Sequence, residues 1–160
     1  VLFMESEQMY GDKGMVPEED YTLPIGVADI KRSGSHVTVV SFGKIIKIAL
    51  EVAEELSAEN IEVEVIDLRT VRPIDYNTVI ESVKKTNRLI CLEEAWPLGS
   101  ISTELTYMVQ KRAFDFLDAP IIRLTTADTP AAYAPTLMEA FLPNKNQLVN
   151  AIREVLYQKP

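Results

Sequence analysis

The sequence predicts an α/β domain: a mostly parallel sheet sandwiched between layers of helices. Two observations predict it. From Ser33-Gly34 onward, strand-like runs alternate with helix-period segments four times. The strand-like runs are also β-branched and continuous, as in Val37-Thr38-Val39-Val40, which suits strands covered on both faces. With right-handed crossovers, that order closes into a three-layer arrangement.

The elements follow in order. Val1-Leu2-Phe3-Met4 reads as a short strand or strand remnant, and residues 5–24, with Gly11, Gly14, Pro17 and Pro24, as an extended arm. Val37 to Val40 is the first core strand, and Ser41-Phe42-Gly43 turns it into a helix. Ile45, Ala49, Val52, Ala53 and Leu56 line one face of that helix, with Glu51, Glu54, Glu55 and Glu59 toward water. Asn60 ends it. Ile61, Val63, Val65 and Ile66 form the second strand, with Glu62 and Glu64 alternating near its start. Asp75 is the predicted N-cap of a helix carrying Val79, Ile80 and Val83, which Asn87 terminates. Arg88 to Leu92 is the third strand and Glu93 to Gly99 its outgoing loop. Ser100 or Ser102 caps a helix with Leu105, Met108, Val109 and Ala113 inward. Asp118-Ala119-Pro120 is a turn, Ile121 to Leu124 the fourth strand, and Thr125 to Pro135 a polar loop. Asn144 or Asn146 caps a last helix bearing Leu148, Val149, Ile152, Val155 and Leu156.

Length and composition fit one globular domain: 160 residues, 47% hydrophobic and 25% charged. A chain of that length buries roughly 68–70% of its unfolded surface. No apolar run approaches the ~20 residues that span a bilayer, so no membrane insertion is expected. Glu5 and Glu7 stand where a secretory leader carries positive charge. A start at Val1 rather than Met points to a processed or truncated chain. The net charge of −8 is concentrated early, where seven acids face only Lys13 over residues 1–30. Such a surface repels a phosphate backbone, so nucleic acid is not an expected partner. It also suits a basic protein partner, but on composition alone plain solubility is the first reading of the same charge.

Catalytic motifs are missing. The first strand leads into Ser41-Phe42-Gly43-Lys44, with one glycine where a dinucleotide fingerprint needs three, and no Walker A sequence occurs. Ser41 lacks the G-x-S-x-G setting of a nucleophile elbow. One His and one Cys cannot build a typical zinc site. Cys91, inside Leu89-Ile90-Cys91-Leu92, reads as a buried, inert thiol, and His36 as a residue at a strand start near the surface. Adjacent Glu93 and Glu94 read as loop-holding acids ahead of metal ligands. Asp67, Arg69 and Arg72 cluster at the exit of the second strand as an ion-pair network. Trp96, the single tryptophan, lies in a loop beside Pro97 and is either a core plug or an interface anchor.

Several of these loops carry a resemblance. Asp67-Leu68-Arg69-Thr70-Val71-Arg72-Pro73-Ile74-Asp75, Lys85-Thr86-Asn87-Arg88-Leu89 and Glu93-Glu94-Ala95-Trp96-Pro97 are similar to the β subunits of the pyruvate dehydrogenase E1 family. More broadly, they look like the C-terminal domain of the transketolase superfamily. Phe3 to Gly11, Leu23-Pro24-Ile25-Gly26, Phe116 to Pro120 and Ala127-Asp128-Thr129-Pro130 fit the same pattern. The chain departs from it at Ala95, where the family has Gly, at Ala131-Ala132, and along the last helix and tail.

The resemblance implies a thiamine-diphosphate-dependent 2-oxoacid dehydrogenase that decarboxylates pyruvate and reductively acetylates the lipoyl group of E2. It implies two α and two β subunits, with thiamine diphosphate and Mg held by other domains and none expected in this segment. Residues 1–32 would then be a linker and arm from an upstream pyrimidine-binding domain, and residues 33–160 a transketolase C-terminal-like domain with one antiparallel edge strand. The implied role is noncatalytic: assembly with the α subunit and a second β subunit, and docking of the basic peripheral-subunit-binding domain of E2. Asp118 and the terminal carboxylate of Pro160 are the implied docking groups. Arg69, Glu94 and Trp96 are the implied interdomain or subunit contacts. Localisation would be cytoplasmic in a bacterium and mitochondrial matrix in a eukaryote. The β subunits of branched-chain 2-oxoacid or acetoin dehydrogenases, a stand-alone acidic interaction domain and a single-chain transketolase-like enzyme are the rival readings.

Overall fold

Five strands and five α-helices are present in the computed structural model, which describes residues 1–158. In chain order they are β1 (Asp29–Arg32), β2 (Val37–Ser41), α1 (Ile46–Ser57), β3 (Val63–Asp67), α2 (Tyr76–Thr86), β4 (Leu89–Leu92), α3 (Ile101–Ala113), β5 (Ile122–Leu124), α4 (Pro135–Phe141) and α5 (Lys145–Val155). The sheet order is β1-β3-β2-β4-β5. β2 pairs in parallel with β3 and β4, and β4 with β5, whereas β1 pairs antiparallel with β3. The fold is therefore the expected mixed sheet, and its antiparallel edge strand is β1.

Side-chain alternation along β2 and β3 decides which helices cover which face. Val37, Val39, Val63 and Val65 point toward α1 and α5, where Ala49, Val52, Leu148 and Ile152 meet them with almost no exposure. Val40 and Ile66 point the other way, toward Val79, Ile80 and Val83 of α2 and Leu105 and Val109 of α3. Each such fully buried aliphatic contributes about 1.5–3 kcal/mol. Because both faces are covered, β2 is buried at every position. Met108, expected inward, is only half-buried.

Caps follow the side-chain chemistry. The Asp75 carboxylate accepts from the Thr78 backbone N–H, 3.1 Å, opening α2. Asn87 closes α2 in the left-handed conformation at φ 61°, which Asn tolerates better than most residues. Of the two candidates for α5, Asn144 caps it, and Gln147 completes a reciprocal capping box. Ser100 occupies the N-cap position of α3, but its hydroxyl makes no capping bond there.

Three segments depart from the expectations. Val1 to Met4 forms no strand and is fully exposed. Residues 29–32, placed by sequence at the end of the arm, form β1. Their Asp-Ile-Lys-Arg composition gives no apolar run, and their pairing is interrupted by a register shift between Ile30 and Arg32. α4, which follows the 125–135 loop, buries no residue, so it leaves no amphipathic stripe to read.

Gly34 has a steric reason to be glycine. A Cβ there would sit 2.2 Å from the Glu64 amide nitrogen and 2.3 Å from the Val63 carbonyl carbon, both backbone atoms. Gly34→Ala should therefore force the β1–β2 turn away from β3 at a cost of about 1–3 kcal/mol. Urea unfolding checks this: a midpoint equal to that of the parent would contradict the close approach.

Candidate functional site

The residues singled out by sequence fall at opposite ends of the parallel strands. Asp118 precedes β5 and lies at the amino edge. Arg69 follows β3, and Glu94 and Trp96 follow β4, so all three lie at the carboxyl edge. Asp118 is therefore separate from the other three. Pro160 lies outside the described residues.

The Asp118 turn is held from two sides. Its backbone N–H donates to the Asn87 carbonyl, 2.9 Å, and its own carbonyl accepts from the Tyr157 hydroxyl, 2.6 Å. The Asn87 side-chain amide donates to the Phe116 carbonyl, 2.8 Å, and Ala119 anchors the turn in the core. Arg88 lies beside it. One guanidinium nitrogen is 3.4 Å from an Asp118 carboxylate oxygen, while Nε donates to the Val155 carbonyl at the end of α5, 2.8 Å. The Asp118 side chain remains 55% exposed, so its carboxylate keeps acceptor capacity facing water. Asn87, Arg88 and Tyr157 escaped the sequence reading as partners of this turn, because Tyr157 is 39 residues from Asp118 and no local pattern links them.

At the carboxyl edge the acids hold loops. Glu93 is buried and accepts hydrogen bonds from the hydroxyls of Ser100 (2.5 Å) and Ser102 and from the Ser102 backbone N–H, which fixes the start of α3. Arg123 reaches the same hydroxyls from β5 and donates to the Pro97 carbonyl. Glu94 pairs with Lys44 at 3.1 Å, and Lys44 also donates to Gln8 of the arm, 2.8 Å. Trp96 is 57% exposed and donates through its indole N–H to the Thr129 carbonyl, so it is a surface residue and not a core plug. Arg69 pairs with Asp29 of β1 at 2.6 Å, and its backbone N–H donates to the Asp67 carboxylate. Arg72 forms no ion pair among the described residues, so the expected network is Asp67, Arg69 and Asp29 instead.

The remaining reactive groups are quiet. Burial pushes the Cys91 thiol up to about 12. His36 Nδ1 accepts from the Glu62 backbone N–H, 2.8 Å. The Ser41 hydroxyl is buried without a hydrogen-bond partner among the described residues. The crevice between the carboxyl ends of β2 and β4, where open α/β sheets bind ligands, is closed by packing and has no room for a water molecule; it is lined mainly by Val40, Phe42, Leu68 and Leu92, with Glu93 beside them.

The model of the transketolase C-terminal domain matches residues 26–148. The chain belongs to the transketolase C-terminal domain family. It is 48% identical over 159 residues to the pyruvate dehydrogenase E1 component subunit beta of Rhizobium meliloti, an alignment spanning 99% of this chain and 35% of that protein. It is 44% identical over 157 residues to the subunit of the same name from Rickettsia felis, spanning 98% and 48%. It is also 44% identical over 156 residues to the acetoin:2,6-dichlorophenolindophenol oxidoreductase subunit beta of Bacillus subtilis, spanning 98% and 46%. This member of the family thus spans half or less of the length of the curated relatives it matches. Among solved structures, a split gene transketolase described as an inactive beta4 tetramer matches with a TM-score of 0.75 at 24% identity, over 92% of this chain and 47% of that one. That likeness concerns the fold.

Asp75 links the loop that contains the cis Arg72-Pro73 bond to the arm. Its carboxylate accepts from the Thr78 hydroxyl and from the Ala28 N–H, 3.0 Å, just before β1. Burial works to raise this carboxyl, but the hydrogen bonds from Thr78, Ala28 and Asn77 outweigh it and hold it below its ordinary 3.8. A depressed carboxylate contributes stability above pH 3.8 and loses it as pH falls through the lower folded value. Asp75→Asn, which keeps a capping side chain, should make the loss of stability below pH 3.8 shallower. Melting temperature followed from pH 6 to about pH 2 checks this; identical acid limbs would contradict it.

Proposed function

We propose that this chain is the C-terminal domain of the β subunit of a thiamine-diphosphate-dependent pyruvate dehydrogenase E1. In this reading the intact enzyme decarboxylates pyruvate and reductively acetylates lipoyl-E2, while this domain is itself noncatalytic. It holds the β subunit to an α subunit and a second β subunit and docks the basic peripheral-subunit-binding domain of E2. The identity of 48% to a pyruvate dehydrogenase E1 subunit beta across 99% of the chain carries the subunit assignment. The acetoin oxidoreductase relative makes an acetoin dehydrogenase β subunit the second reading. Either enzyme would act in the bacterial cytoplasm, or in the mitochondrial matrix if the source is a eukaryote.

The docking part of the proposal is supported by the amino edge. Asp118 is an exposed acid on a turn whose backbone is fixed, and the chain carries a net charge of −8. A basic helical domain would meet a carboxylate on a pre-set turn there. The carboxyl edge supports the interface part. Trp96 at 57% and Leu98 at 90% exposure leave apolar surface on the loop that also carries Glu94. Arg69 and Glu94 act in this reading as organisers of the loops that face the neighbouring domain, through Asp29 and Lys44. The segment ahead of β1 would then lead from the pyrimidine-binding domain into the sheet, so the arm ends before Asp29 and not at residue 32.

The residues present do not fit thiamine diphosphate or Mg. The carboxyl-edge crevice is apolar, and the carboxylate beside it, Glu93, is already occupied by Ser100 and Ser102. No catalytic step is assigned to this domain.

Calorimetric titration of the assembled E1 with the peripheral-subunit-binding domain of its own E2, at low and moderate salt, tests docking. Saturable binding that weakens with salt is expected, and Asp118→Ala should lower the affinity about tenfold or more if the pair is desolvated in the complex. An unaltered affinity in that variant would contradict docking at this turn.

A further inference from the structure

We infer that Tyr157 is a positioning residue for docking: its hydroxyl locks the carbonyl of the Asp118 turn, so that a basic partner meets a turn whose backbone is already in place and whose carboxylate is free to pair. The inference rests on the docking reading above and goes beyond it, since it concerns a residue that makes no charge of its own available to the partner.

The geometry is specific. Asp118 has one backbone donor and one backbone acceptor, and each is taken by a different element. The N–H goes to Asn87, between α2 and β4, at 2.9 Å. The carbonyl receives the Tyr157 hydroxyl, beyond the end of α5, at 2.6 Å. Tyr157 can reach because its own backbone turns back in the left-handed region at φ 55°, with its N–H bonded to the Glu154 carbonyl at 3.0 Å. Arg88 ties the same two elements together, through Val155 on one side and the Asp118 carboxylate on the other. The Tyr157 side of this clasp is exposed, at 71%, and the Asp118 side chain is 55% exposed. The fixed part is therefore the backbone of the turn, and the free part is the carboxylate. A turn held this way loses little conformational freedom when a partner binds, which favours a slow dissociation rate.

The test uses the assembled E1 and the peripheral-subunit-binding domain as the probe, with two variants, Tyr157→Phe and Asp118→Asn. Tyr157→Phe removes one hydrogen bond and no charge. It should weaken binding about threefold through faster dissociation, because the loosened turn must then be ordered when the partner binds. Its melting temperature and its salt dependence of affinity should match the parent. Asp118→Asn should weaken binding and flatten the salt dependence, because a charge is lost. If Tyr157→Phe binds like the parent while Asp118→Asn is weakened, the positioning role is overturned and docking stands. If neither variant is weakened, the docking reading fails and the inference with it. A loss of affinity that accompanies a fallen melting temperature in Tyr157→Phe would also overturn it, since the hydroxyl would then serve the fold at large.

Discussion

Glu64 lies on β3 beneath α2, 1% exposed, and satisfying its carboxylate organises one whole side of the domain. Ser82 and Lys85 donate to it from α2, and the Gly34 N–H donates from the β1–β2 turn, 3.2 Å. Ser82 also bonds Thr38 of β2, 2.6 Å, and Thr38 bonds Thr86, 2.7 Å. A buried carboxylate left without these partners would cost several kcal/mol, on the order of 3–5 when a charged partner is removed from a fully buried pair. Lys85 is 47% exposed, so the penalty here is smaller, yet the network still admits one rotation and one depth of α2 on the sheet. The last turn of α2 then delivers Asn87 and Arg88 to the amino edge, where they grip the Asp118 turn.

The two edges of the sheet divide the work accordingly. At the amino edge, polar groups fix a backbone and leave one carboxylate facing water. At the carboxyl edge, where ligand sites of α/β sheets ordinarily form, Glu93 is spent on the start of α3 and the crevice is apolar. Exposed Trp96 and Leu98 lie at that same edge, and Lys44 bridges Glu94 to the arm. A domain built this way spends its buried acids on holding the loops at both ends in shape.

The sequence made the covered parallel core legible because apolar periodicity reports burial directly. Val37 to Val40, the α1 stripe and the Asp75 and Asn144 caps all emerge from local pattern. β1 did not, because an edge strand with the composition Asp-Ile-Lys-Arg needs no apolar run; the resemblance implied an antiparallel edge strand but not its place. Glu64 was legible only as one of two acids alternating near the start of a strand, since alternation marks a face without saying what covers it. α2 covers that face, and Ser82 and Lys85 are the polar residues that make a buried Glu tolerable. Asp118 was visible through its Leu-Asp-Ala-Pro turn. Its clasp was not, because Asn87, Arg88 and Tyr157 come to it only through the fold.

The central claim is that the Glu64 network, acting through α2, keeps the Asp118 turn in place. Native-state amide hydrogen exchange in the parent and in Glu64→Gln tests it most directly, read at the α2 amides and at the Asp118 N–H that bonds Asn87. Both should lose protection together if α2 carries the coupling. Loss of protection in α2 with an unchanged Asp118 amide would contradict it, and would show that the turn is held by the end of α5 alone.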